Sequence, residues 1–131
     1  MNLSEHVCTL LHKAAQDEAV LAELAEEPKF DDETVGFHAQ QAAEKLLKAW
    51  LSYLGVNYPK THRLETLIDL LNASGKSVPS EFDDLARLTP FATAFRYDEI
   101  ASSPTVDRRA WLPLVRKLRA FIEAQIGASA S

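Results

Sequence analysis

Residues 37–54 read FHAQQAAEKLLKAWLSYL. Placed at 100° per residue, Ala39, Ala42, Ala43, Leu46, Leu47, Ala49, Trp50, Leu51, Tyr53 and Leu54 fall on one continuous arc of a helix running from about Glu33 to Leu54. That arc covers more than half of the circumference. A helix facing a single core needs only a narrower stripe, so this one is expected to pack against several neighbours or against another subunit. His38, Gln41, Glu44, Lys45, Lys48 and Ser52 form the remaining strip. Gln40 is the exception: it lies inside the arc with Leu47 and Leu51, where a buried amide needs a partner, and a polar pairing across an interface would supply one.

Working outward, Leu3, Val7, Leu10, Ala14, Leu21 and Leu24 recur at steps of three and four, with one polar interruption around Asp17. This is a long amphipathic first helix. It should end near EEPKFDDE, where Pro28 cannot continue a hydrogen-bonded helix and the acids suit the start of the next. Gly55 is a C′ residue for the second helix and Pro59 stops any continuation. Thr61 is then a candidate N-cap for a short third helix that places Leu64, Leu67, Ile68 and Leu71 on one face. After the turn-rich ASGKSVPS, Ser80 can cap a fourth helix carrying Phe82, Leu85, Ala86, Leu88, Thr89, Ala92 and Phe95, with a kink or interrupted turn at Pro90. Trp111, Leu114, Val115, Leu118, Phe121 and Ile122 mark a last helix, in which Pro113 is tolerated near the first turn. With no alternating strand pattern and no internal repeat, the chain reads as an all-α bundle of about five helices joined by short loops.

The 131 residues suit one domain, 1–131, with a single core. A net charge of −5 argues against broad binding to nucleic acid, so any polyanion site must be local. Cys8 is the only cysteine and is expected to be a small core hydrophobe; no Cys/His spacing suggests a metal, and no cofactor is expected. No apolar run is long enough to span a bilayer and no basic segment precedes one, so a cytoplasmic location without membrane contact is expected.

FHAQQAAEKLLKAWLSYLGVNYPKTHRLETLIDLL followed by LTPFATAFRYDE resembles the HEPN family, the higher eukaryote and prokaryote nucleotide-binding domain, over about residues 5–125. His38, Gln40, Gln41, Glu44, Lys45 and Lys48, the segment from Thr61 to Leu64, and Arg96-Tyr97 carry the resemblance. It implies an up-and-down helical bundle, a homodimer, and association with a minimal nucleotidyltransferase in a toxin–antitoxin-like system. It also implies either RNA cleavage or binding of nucleotide or partner. The family's ribonucleases resemble one another through an Arg followed, after four to six residues, by a His, a pairing that supplies a proton acceptor and a cation for phosphate. Here Arg96 is followed by YDEIASSPTVDRRAW, and no His occurs anywhere downstream. A metal-independent endoribonuclease would therefore have to use Arg96 with a displaced base, His62 or His38. The Tyr that the family's partner enzyme modifies lies just beyond the motif's His, and Tyr97 does not occupy that position.

Arg96, Tyr97, Lys45 and Lys48 are the candidates for nucleotide or phosphate contact, and Gln40, Leu47, Trp50, Leu51 and Leu54 those for dimer or core packing. Plainer roles stand beside these. Arg96 can cap a helix C-terminus or pair with a nearby acid, and Tyr97 can pack as an ordinary aromatic. The strip bearing His38, Lys45 and Lys48 reads as a solvated face on which Glu44 and Lys48 form a surface i,i+4 pair. His62 can orient the first turn of the third helix, and the basic residues Arg108, Arg109, Arg116, Lys117 and Arg119 can complement the acidic first helix. The expected protein is a dimerising interaction and nucleotide-binding module without an intact ribonuclease motif.

Overall fold

A computed structural model describes residues 3–93 and 107–130. Among them are α1 (Glu5–Leu24), α2 (Asp32–Tyr53), α3 (Leu64–Ala73), a 3-10 helix (Ser80–Leu88), α4 (Thr89–Thr93), a 3-10 turn (Arg108–Ala110) and α5 (Trp111–Ala130). No strand occurs among the described residues, as expected for an all-α bundle.

The helix ends follow from local chemistry. Ser4 Oγ accepts from Val7 N at 3.1 Å to start α1, and Asp31 Oδ1 accepts from Thr34 N at 3.1 Å to start α2. Gly55, at φ 74°, is the C′ residue of α2; its own N donates to Ser52 O while Val56 N donates to Leu51 O, the double bond of a Schellman ending. Gly75 ends α3 in the same way, with φ 86° and Lys76 N donating to Leu71 O.

Three of the expected boundaries shift. Thr61 does not cap α3: its hydroxyl accepts from Arg63 N within the loop, and Leu64 N instead donates to Thr89 Oγ1 at 3.1 Å, a cap borrowed from another element. Ser80 makes no side-chain cap, because the chain enters a 3-10 helix rather than an α-helix at that point. Pro90 falls in the first turn of α4, so the expected interruption is the junction between the two helix types. Pro113 sits in the first turn of α5, where no intrahelical donor is lost.

α2 is the centre of the bundle. It packs on α1, α3, the 3-10 helix, α4 and α5, and its arc residues Ala39, Ala42, Ala43, Leu46, Leu47, Ala49, Trp50 and Leu51 are all buried. The wide apolar arc is thus consumed by neighbours within one chain. Leu54 is half-buried against the same core. Trp50 meets Phe121 of α5 edge-on, with ring centroids 5.5 Å apart, and Phe121 also contacts Phe82. Cys8 is exposed on α1, contrary to its expected place in the core, because the buried face of that helix is taken by Val7, Ala14 and Leu21.

Arg108 ties the start of α5 to the α1–α2 loop. Its guanidinium donates to the carbonyls of Ala25, Glu27 and Phe30 and to Asp32, so a cation serves the carboxyl end of α1 where the helix leaves carbonyls unpaired. Gly36 permits the closest approach: a Cβ built there would lie 2.6 Å from the Phe91 ring, which Trp111 hems in at 5.2 Å. Alanine is the better helix former by about 1 kcal/mol, yet the steric overlap should outweigh it. Gly36→Ala is expected to lower stability by about 1–3 kcal/mol, read from the urea midpoint at unchanged slope. Arg108→Ala should cost about 1–3 kcal/mol by orphaning carbonyls.

Candidate functional site

Two carboxylates organise the polar strip of α2. The first is Asp17, the residue that interrupts the apolar pattern of α1. It accepts from Lys45 Nζ and lies 3.2 Å from Nδ1 of His38, so the interruption is a cross-brace between the first two helices. The second is Glu44, whose side chain is 7 % exposed. Its Oε1 accepts from Gln40 Nε2 and pairs with His62 Nδ1, both at 2.9 Å, and its Oε2 accepts from Lys48 Nζ at 2.9 Å.

Gln40, fully buried, does more than hold Glu44. Its Nε2 also donates to the carbonyl of His62 at 2.9 Å, while its Oε1 accepts from Gln41 at 2.7 Å. The amide's partner is therefore inside the chain rather than across an interface. Farther along, Lys48 Nζ stands 5.7 Å from the centre of the Tyr58 ring, and the Tyr58 hydroxyl lies 3.3 Å from Ser52 Oγ and 3.4 Å from His6 Nε2. The α2–α3 loop is pinned to α2 at Tyr58 and at His62.

This overturns the reading of the strip as a solvated face with a surface Glu44–Lys48 pair. Both side chains are largely covered, and the pair belongs to a four-residue network. Burial by itself would raise the Glu44 pKa. Hydrogen bonds from Gln40, Lys48 and His62, with the charge of Lys48, outweigh it and hold the carboxyl below its ordinary range. Glu65 is lowered in the same manner, its desolvation overcome by bonds from Arg63 and Thr89. Every buried side-chain nitrogen and oxygen among the described residues has a partner.

The sequence-level candidates are thus distributed unevenly. Lys45 and Lys48 are engaged with Asp17 and Glu44 and are not free ammonium groups awaiting phosphate. His62 is drawn to the centre of the network, while His38 sits apart on Asp17 with its ring edge-on to Phe37. Gln40, Leu47, Trp50 and Leu51 are core residues of one chain. Arg96 and Tyr97 lie outside the described residues. On α5, Arg119 donates to Glu18 of α1 at 2.7 Å and Arg116 stands 3.7 Å from it, so these cations complement the first helix. No group of metal-binding side chains occurs among the described residues, and no helix there is long and apolar enough to cross a membrane.

A family model for the HEPN domain matches residues 8–126, nearly the whole chain. The chain belongs to the HEPN family. No curated protein and no solved structure matches it. Within this HEPN domain, the Gln40–Glu44–Lys48–His62 network is the best-defined polar site, and sequence reading missed its coherence because Gln40 and His62 were assigned separate roles.

The lowered carboxyls set the sign of the acid response. A group whose folded pKa lies below its unfolded value of about 4.5 contributes fully above that value and loses its contribution as pH falls through it toward the folded pKa. Urea midpoints should therefore fall as pH drops below about 5. Glu44→Gln should be less stable at neutral pH and show a shallower acid limb, Asp31 and Glu65 keeping the remainder.

Proposed function

We propose that this HEPN domain is a dimerising interaction and nucleotide-binding module, paired with a minimal nucleotidyltransferase in a toxin–antitoxin-like system and lacking an intact ribonuclease motif. One observation carries the reading: no His follows Arg96 anywhere in the chain. Cleavage by 2′-hydroxyl attack needs a group that takes a proton near neutral pH, held beside the cation that stabilises the phosphate. The usual donor of that group is missing from its place. A motif that keeps its cation but lacks the His at the motif's place in sequence retains the means to bind an anionic group and lacks its own base for cleavage.

The network on α2 supports a binding role. It fixes the α2–α3 loop with His62 exposed, and Lys48 in it and Lys45 beside it are charge-balanced, consistent with recognition at a local site on an acidic protein rather than with broad affinity for polyanions. Since α2 spends its apolar arc inside the chain, a homodimer would join through other faces.

A second reading, ribonuclease action by Arg96 with a displaced base, draws support from His62, whose Nδ1 is tied to a carboxylate while the ring stays more than half exposed. His38 is the poorer candidate, being 26 % exposed.

Co-expression with a neighbouring minimal nucleotidyltransferase should give a stable complex, and sedimentation at micromolar concentration should show a dimer. A monomer that forms no complex would refute the leading reading. Incubation with RNA should leave it intact. Cleavage that disappears in a folded Arg96→Ala variant would establish the second reading instead, and loss in His62→Ala but not His38→Ala would name its base.

A further inference from the structure

The cations at the start of α5 are unevenly compensated. Glu18 of α1 accepts from Arg119 at 2.7 Å and leaves Arg116 at 3.7 Å, outside hydrogen-bond reach, with its side chain 53 % exposed. Lys117 beside it is exposed as well. Arg109, in the 3-10 turn that leads into α5, precedes Arg116 by two turns and is 76 % exposed. Between and beyond these cations the exposed residues are Pro113 and Ala120, so no bulky side chain keeps a second surface away from the charges.

The opposite charge lies at the head of this face. The α1–α2 loop carries Glu26, Glu27, Asp31, Asp32 and Glu33 against Lys29 alone. Asp31 is spent on the start of α2 and Asp32 on Arg108, whereas Glu26 and Glu27 are exposed. Arg108 takes the carbonyls of Ala25, Glu27 and Phe30 and so fixes the loop, with its two exposed acids, against the start of α5. Glu26 and Arg109 line one open cleft there. The acids thus stand beside the first cation of the face, while Arg116 lies seven residues farther on, about 10 Å along the axis.

An acidic patch and a basic patch fixed side by side are self-complementary under a twofold axis that passes between them. We propose that this face is an interface between two copies of the chain, with Glu26 and Glu27 of each seated on Arg116 and Lys117 of the other. The proposal rests on the dimer reading above and assigns its surface to α5 and the α1–α2 loop. A polyanion is the poorer occupant, because the acids of the loop flank the cations and would repel it. The contact is electrostatic, so it weakens as salt rises.

The test is charge reversal in the full chain, read by sedimentation over a range of protein concentrations. Arg116→Glu with Lys117→Glu, and separately Glu26→Lys with Glu27→Lys, set like charges against each other, and each pair should raise the dimer Kd at least about tenfold. All four side chains are exposed, so both variants should keep the native circular dichroism. Single reversals, Lys117→Glu and Glu27→Lys, carry the same exchange should a double variant fail to fold. Mixed in equal amounts, the acidic and basic variants should form a heterodimer about as tight as the native dimer, because each reversed patch then meets its opposite. A native dimer that neither reversal weakens, or a mixture that stays monomeric, would overturn this interface and leave dimerisation to another face. A native chain that stays monomeric would overturn both, leaving the basic face to an acidic partner of different sequence.

Discussion

α2 has almost no solvent face of its own, and the rest of the domain is arranged around that constraint. Among the described residues, six neighbouring elements pack on it, so every residue type on its surface must solve a burial problem. The apolar majority does so by packing: fully covering side chains such as Leu46, Leu47 and Leu51 is worth about 1.5–3 kcal/mol each. Gly36 does so by being absent, leaving room for Phe91. The polar minority cannot be left unpaired, because an isolated buried carboxylate or amide costs more than its neighbours return. Asp17 and Glu44 are the solutions, each one carboxylate set between a histidine and a lysine.

That pairing has an electrostatic consequence. Lys45, Lys48, Arg108 and Arg119 all spend their positive charge within the chain, on carboxylates or on carbonyls. These four of the fourteen basic residues are committed within the fold. With a net charge of −5, long-range attraction of RNA is not available either. The network around His62 is likewise held by directional hydrogen bonds within the chain.

The helical architecture was legible because its signals are local. The wide arc of α2, the C′ glycine at 55 and the proline-marked junction at 90 each depend on residues within a turn or two of one another. The width of that arc calls for several partners, and several neighbours within one chain or a second subunit satisfy it equally in sequence. The polar site was not legible, because its partners are remote: Lys45 is paired across 28 positions and His62 across 18. A strip of Lys, Glu and His on a helix looks the same in sequence whether water or another helix covers it. Thr61 illustrates the same limit, since a good capping residue is in place but Thr89, 25 positions beyond Leu64, takes the role. Arg96, the sharpest functional signal in the sequence, lies outside the described residues.

The burial of α2 also constrains any contact between two copies of this domain. Obligate homodimers resemble a core cut in two, with an apolar interface continuous on each protomer. Among the described residues, the one exposed large hydrophobic side chain is Val20 on α1, at 38 %. Around it the outward face of α1 offers Ala15, Gln16, Ala19 and Glu23, which are small or polar. A contact made from such surface would draw little from hydrophobic burial and depend on hydrogen bonds and charge pairing at its rim, so its strength would vary with salt. A dimer of that kind can separate without exposing the core. A contact built on Leu47, Trp50 and Leu51 would instead require the core to open.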